Sequence, residues 1–278
     1  MRKIKIVSDS SSDILSLEGV AYACAPMKIV TAQREFVDVP SLDVDEMTDF
    51  LYNYKGQSKS SCPNVNDWLE AFGDADDIYC ITITGGLSGS YNSACSAKEI
   101  YETEHEGRRV FVMDSLSAGP ELALSIEKMQ TCIEKGLSFE DTCAALTAYA
   151  RDTGLLFMLK SLKNFANNGR VSPAVAKLAG IMGICIVGKA SDEGTLEPLH
   201  KCRGEARSLD AIFEDMEKAG YRGGKVRLAH CQNPEAAERL KAMILEKHPA
   251  ADVTIHKHRG LCSFYAEKGG VLVGYEKN

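Results

Sequence analysis

Hydroxyl and glycine residues gather at four places in the first half of this 278-residue chain: Ser8 to Ser12, Ser58 to Cys62, Thr84 to Ser90 and Asp114 to Gly119. Each follows an apolar run or precedes an amphipathic one, so each reads as a turn at a strand end or a helix start. Backbone N–H groups at a helix start are unpaired and carry a partial positive charge. Such a turn stabilises a carboxylate or phosphate without lysine or arginine. GGLSGS meets that need: Gly85, Gly86 and Gly89 let the backbone close on an anion, while Ser88, Ser90 and Ser93 add hydroxyl donors. In an open parallel sheet the loops beyond the strand carboxyl ends line one crevice, so the four turns are expected to converge.

Other chemistries fit less well. GGLSGS is not G-x-G-x-x-G, and no G-x-x-x-x-G-K-[ST] loop occurs, so a dinucleotide or ATP site is unsupported. A nucleophilic Ser88 in G-x-S-x-G would need a second glycine where Ser90 stands. DSSSD, Asp9 to Asp13, offers a cation site, and a phosphotransferase would use Asp9 or Ser88 as its phosphoryl acceptor, but Asp and Ser after a strand are also ordinary turn and cap residues. His256 and His258 alternate in a strand-like segment near Cys262, which suggests zinc, yet no further ligand announces itself. No metal or cofactor is therefore assigned. His258 reads better as a neutral hydrogen-bond partner, and Arg170 and Arg203 as candidates for anion recognition or docking.

The elements that must position these residues alternate short apolar strands with longer amphipathic segments, the signature of an α/β sheet. Strands are expected at Lys3 to Val7, Val20 to Ala25, Met27 to Val30, Ile78 to Thr84 and Val110 to Asp114. Helices are expected at Asp43 to Tyr54, after Pro63 through Phe72, at Tyr91 to Tyr101, Leu122 to Glu134 and Ser138 to Arg151. A boundary near Asp152 to Gly154 divides residues 1–152 from 153–278. The second part opens on LLFMLKSLKNF, and the Asp192-Glu193-Gly194 turn pairs ICIVGKA with Thr195 to Cys202 as an antiparallel hairpin. Helices at Ala206 to Ala219 and Pro234 to His248 then alternate with strands at Val226 to His230, DVTIHKH and VLVGYE. The fold class is α/β: a parallel-sheet, Rossmann-like first lobe and a mixed α/β second lobe.

Composition narrows the partners. With 45% hydrophobic and 26% charged residues the chain is globular, and a net charge of -7 leaves no footprint for nucleic acid. The charge-free stretch Leu178 to Gly188 is about half of the ~20 residues a membrane helix needs, so no membrane insertion is expected. IKIV before Asp9 is too short for a secretory signal, so a cytoplasmic location is expected. The ten cysteines contain no C-x-x-C, and reduced thiols are expected.

From KIKIVSDSSSD through SSCP, LSGSYNSA, VFVMDSLSAG, NNGRVS and HKCRGEARS to His258-Arg259-Gly260, the chain resembles the DegV family. That family comprises bacterial fatty-acid-binding proteins and includes the binding subunit of fatty acid kinase. The resemblance implies a two-lobed carrier, not a catalyst. It further implies a long-chain fatty acid between the lobes, carboxylate toward the serine loops and acyl chain in an apolar tunnel, to be phosphorylated by a separate ATP-using kinase subunit. It assigns the carboxylate to Ser60, Ser61, Ser88, Gly89, Ser90, Ser93 and His258. The chain departs from the family at Ser60, Cys62, Gly85 and Asn168. It departs again at Cys185-Ile186, which replaces Lys-Pro, and at Arg259 to Cys262.

Overall fold

The computed structural model describes residues 2–176 and 183–277. Part of the charge-free stretch, residues 178–182, lies outside them. Strands β1 (Ile4–Asp9), β2 (Ala21–Ala25), β6 (Asp77–Thr82) and β7 (Arg109–Asp114) form a parallel sheet of order β2-β1-β6-β7. Its central strands are buried on both faces, so their sequences are continuously apolar and not alternating. Ile6, Tyr79 and Ile81 point to one core with Leu122 and Ile126, while Val7, Ile78 and Cys80 point to another with Trp68 and Phe72. The chain leaves β1 toward β2 and returns on the other side as β6. The strand order therefore reverses at the β1/β6 boundary, and a crevice opens beyond their carboxyl ends.

Between β2 and β6 lies a small antiparallel sheet of β3 (Lys28–Thr31), β4 (Glu35–Val37) and β5 (Ser58–Ser61), in the order β4-β3-β5. Ser58 to Ser61 is thus a strand, not the expected turn. Its backbone pairs with β3, Ser60 opposite Ile29, and the alternation of a strand spreads its hydroxyls over two faces. Helix α1 (Val44–Asn53) covers this sheet. Helix α2 (Val65–Phe72) starts not on Pro63 but on Asn64, whose side chain accepts from Asn66 and Asp67 N–H while Asp67 reaches back to the Asn64 N–H. This reciprocal cap satisfies otherwise orphaned donors.

Helices α3 (Ser90–Glu104), α4 (Pro120–Glu134) and α5 (Phe139–Tyr149) complete the first half. The expected Ser138 to Arg151 helix ends at Tyr149 and tightens into a 3-10 turn over Ala150–Asp152. Helix α4 is buried along most of its length, from Pro120 to Ile126 and at Met129 and Cys132, because it packs against strands of both large sheets.

The second large sheet contains β8 (Thr153–Leu159), β9 (Ile184–Ala190), β10 (Leu196–Arg203), β11 (Val226–His230), β12 (Val253–Lys257) and β13 (Val271–Glu276), in the order β10-β9-β8-β13-β11-β12. The β9–β10 hairpin is antiparallel as expected, and only β11–β12 run parallel. Helices α8 (Glu205–Lys218) and α9 (Pro234–Lys247) cover one face, where Leu156, Met158 and Val187 are packed. Leu155, Phe157 and Leu159 alternate to the opposite face. Short helices α6 (Lys163–Asn167), α7 (Pro173–Ala176) and α10 (Gly260–Ala266) complete the described elements. Among these residues no helix is long and apolar enough to cross a membrane.

Candidate functional site

The turns after β1, β6 and β7 are tied to one another by backbone bonds. Gly119 N–H donates to Ser11 O at 2.8 Å, and Thr84 N–H to Ser117 O at 2.9 Å. Asp9, at the end of β1, is fully buried and knots the same region. Its carboxylate accepts from Ser11 N–H at 3.1 Å, Ile83 N–H at 2.9 Å, Ser90 Oγ at 2.6 Å and the Ser11 hydroxyl. Burial pushes the Asp9 carboxyl above its usual range although all four donors oppose this. An acceptor or cation role for Asp9 has no room: the group is sealed from solvent and its oxygens are occupied.

Beside this knot lies a cavity of about 320 Å³, within the roughly 300–1,000 Å³ range of small-molecule sites. One part of its wall is polar and carries Ser60, Ser61, Thr84, Ser88, Gly89 and Ser117. The remainder is apolar: Leu155, Phe157 and Leu159 of β8, with Phe165, Leu196 and Leu272. Two of the predicted turns, those after β6 and β7, thus converge with strand β5 on one space, while the Ser8 to Ser12 turn lies behind the wall. Two cations also reach the wall. Arg170 is held by Leu87 O at 3.1 Å and by Asn168 O, and Lys189 pairs with Glu197 at 3.4 Å.

The polar wall is braced from the second half of the chain. Asn168 accepts from Ser60 N–H at 3.3 Å and donates to Ser58 O at 3.2 Å. Tyr265, on α10, shares a 2.7 Å hydrogen bond with the Ser60 hydroxyl, and burial raises its phenol above the ordinary value, Ser60 offsetting part of that. The β9–β10 turn closes a further side. Gly194 has φ +72°, and a side chain there would bring Cβ within 2.0 Å of Thr84 Oγ1, so only glycine lets the hairpin lie on this loop.

Of the carboxylate-binding and docking candidates named from sequence, Ser60, Ser61, Ser88, Gly89 and Arg170 line the cavity. Ser90, Ser93, His258 and Arg203 do not. Ser90 faces inward to Asp9, and the Ser93 hydroxyl is buried in α3 without a partner among the described residues. Arg203 is exposed at the end of β10. His258 is buried behind the wall with Nδ1 2.5 Å from Asp13 Oδ2, while its Nε2 is buried and has no partner among the described residues. Asp13, not His256, joins His258 and Cys262 in a cluster whose polar atoms lie within 4.8 Å of one another. Asp13 and His258 satisfy each other, Asp13 also accepts from Arg259 N–H at 2.7 Å, and the Cys262 thiol donates to Ser11 O at 3.3 Å. These internal bonds occupy Asp13, His258 Nδ1 and the Cys262 thiol.

Ser88 accepts a bond from Ser90 N–H at 3.3 Å, and no imidazole or carboxylate is hydrogen-bonded to its hydroxyl among the described residues. A nucleophilic serine needs such a base. Sequence reasoning missed Tyr265 and the helix that carries it. The spacing of Leu261, Phe264 and Tyr265 is the one signal available, in a segment of seven residues. The N-terminus of that helix is capped from afar: Asp38 accepts from Gly260 N–H at 3.0 Å and Leu261 N–H at 2.8 Å while pairing with Arg259 at 3.2 Å.

The sequence profile of the DegV family matches residues 3–278. A DegV domain-containing protein of Streptococcus pneumoniae is 45% identical over 276 residues, covering 98% of each chain. One from Streptococcus gordonii is 42% identical over 276 residues, again 98% of each. Among solved structures, a DegV family protein from Eubacterium eligens loaded with heptadecanoic acid superposes with a TM-score of 0.97 at 43% identity, over 99% of this chain and 100% of that one. The Streptococcus pneumoniae Fatty Acid Kinase (Fak) B3 protein loaded with linoleic acid does so with a TM-score of 0.97 at 44% identity, over 99% and 100%. Continuous similarity from the first strand to the last, in sequence and in fold, establishes that this chain belongs to the DegV family.

Proposed function

We propose that this protein is a non-catalytic carrier that binds a long-chain fatty acid between a head-group lobe, residues 1–152, and an acyl-covering lobe, residues 153–278. The carrying observation is the division of one cavity wall into hydroxyl and glycine residues on one part and β8 leucine and phenylalanine side chains on the other. Each methylene moved from water to such a wall contributes about 0.8 kcal/mol. A carboxylate meeting Ser60, Ser61, Ser88 and Gly89 keeps its hydrogen bonds as it leaves water. The fatty acids held by the Eubacterium and Streptococcus relatives support the reading.

Presentation of the bound acid to a separate ATP-using kinase subunit, in the cytoplasm, extends this proposal. Arg170 on the wall and the exposed Arg203 are the cations offered to the head group or to that partner. Solvent extraction of the natively purified protein, followed by mass spectrometry, should yield acyl chains, and added oleate should raise the melting temperature of stripped protein. Absence of both results overturns the carrier reading. Formation of acyl phosphate only when protein, kinase subunit and ATP are combined tests the presentation step.

A further inference from the structure

The β9–β10 hairpin places two cysteines directly opposite each other: Cys185 on β9 and Cys202 on β10 are register partners. Opposed residues of an antiparallel pair share one face, with Cβ atoms about 4.5–5.5 Å apart. Both thiols pack into the same core, against α8. The adjacent Gly204 N–H donates to Gly183 O at 3.0 Å, which makes the cysteines a hydrogen-bonded pair two residues further along the ladder. Such pairs hold Cα atoms near 5.5 Å, inside the roughly 4.4–6.8 Å window of a disulfide. A hydrogen-bonded pair sits at the wide end of that Cβ range, so Cβ must approach by about 1–2 Å more. The flanking Gly183 and Gly204, at φ +79° and +82°, end the ladder and give the strands freedom to close that gap. Cys185 is buried, while Cys202 is half-buried and lines a shallow surface depression with His200, Lys201 and Arg207, open to a small oxidant.

We propose that Cys185 and Cys202 form a reversible cross-strand disulfide, a modification site that hydrogen peroxide or an exogenous disulfide can oxidise. With peroxide, the Cys202 sulfur attacks one oxygen, the O–O bond breaks and water leaves. Cys185 sulfur then attacks the resulting sulfenic acid, forming S–S and releasing a second water. The two thiols lose two electrons and two protons together, and one peroxide becomes two waters. Burial raises the Cys202 thiol above its ordinary value, with nearby Ser208 and Arg207 opposing. The attacking species is the thiolate, so the reaction accelerates as pH rises through the alkaline range. A bond closed across an imperfect Cβ gap is readily reduced. The bond ties together the base of the hairpin whose other end, at Lys189, Ala190, Gly194 and Leu196, walls the cavity.

The test is peptide mapping under non-reducing conditions after the reduced full-length protein is exposed to a small excess of peroxide. A linked peptide containing positions 185 and 202 is expected, with loss of two hydrogens that dithiothreitol restores. Cys202→Ser should abolish the link, whereas Cys143→Ser should leave it. Oxidation of Cys202 to sulfinic acid without a link, or disulfides formed only among other cysteines, would overturn the proposal. Because the first readout uses the unmodified protein, it does not depend on any variant folding.

Discussion

Asp13 and His258 stand 245 positions apart in sequence and meet in the interior, Asp13 Oδ2 lying 2.5 Å from His258 Nδ1 with both side chains sealed from solvent. Asp13 has φ +61° as the cap of the 3-10 turn that follows β1, and His258 follows β12, so their contact pins the first strand's turn to the last third of the chain. The pair positions the wall of the cavity and does not line it.

Removing one partner leaves the other buried and unpaired. Asp13→Ala should therefore destabilise the fold by about 3–5 kcal/mol, read by chemical denaturation. Burial alone would raise the Asp13 carboxyl, but the charge and hydrogen bond of His258 hold it below its ordinary value. A depressed folded pKa gives stability that is complete above the unfolded value near 4 and is lost as pH falls through the folded one. The difference between wild type and Asp13→Ala should shrink in that acid window and stay constant just above it. A difference that grows on acidification contradicts the pairing.

Ser88 and Ser90 look equivalent in sequence and should behave oppositely. Ser90 donates to buried Asp9, so Ser90→Ala leaves that carboxylate one donor short and costs about 1–3 kcal/mol. Ser88 faces the cavity, so Ser88→Ala should weaken fatty-acid binding severalfold with a melting temperature nearly unchanged. Paired calorimetric and binding measurements on the two variants check the assignment. It fails if Ser90→Ala loses affinity alone.

Leu196 lies half-buried on the apolar part of the wall. Leu196→Trp should fill cavity volume and shift preference toward shorter acyl chains, seen as a shorter mean chain length among co-purified lipids. An unchanged lipid profile would move the acyl chain elsewhere.

Glu121 begins α4 and joins the Ser117 loop to β8, accepting from Ser117 Oγ at 2.5 Å and Thr153 Oγ1 at 2.7 Å. Burial raises its carboxyl, although both hydroxyls oppose that. A folded pKa above the unfolded one means the folded state holds the proton longer, so stability declines as pH rises from the unfolded value through the folded one. Glu121→Gln removes this slope. The variant should gain on wild type as pH climbs through that interval, measured by denaturation at several pH values. Parallel pH profiles for the two proteins would reject the assignment.

Much of this was legible in the chain itself. Continuous apolar runs such as IYCIT announce strands buried on both faces, and one-sided stripes such as Val65, Trp68, Leu69 and Phe72 announce helices, because both signals are local and periodic. The Gly-Ser loop after β6 and the turn after β7 also announce their places, since strand ends need residues that tolerate turns. The antiparallel β9–β10 hairpin follows from its Asp-Glu-Gly turn for the same reason.

What local pattern does not encode is direction and distance. Ser88 and Ser90 differ by two positions, yet one meets the cavity and the other meets Asp9, because Ser88 lies in the loop before α3 while Ser90 is the first residue of that helix and turns toward β1. His258 reads as a ligand residue until Asp13 is brought to it by the meeting of β1 and β12 turns. Ser58 to Ser61 becomes a strand only because β3 is present to accept its hydrogen bonds. Tyr265 reaches Ser60 only because Asp38 caps the short helix that carries it. The sequence alone determined the α/β elements and the chemistry of their turns. The tertiary structure decided which hydroxyls face the cavity and which are spent on buried carboxylates, since that depends on contacts between residues far apart in the chain.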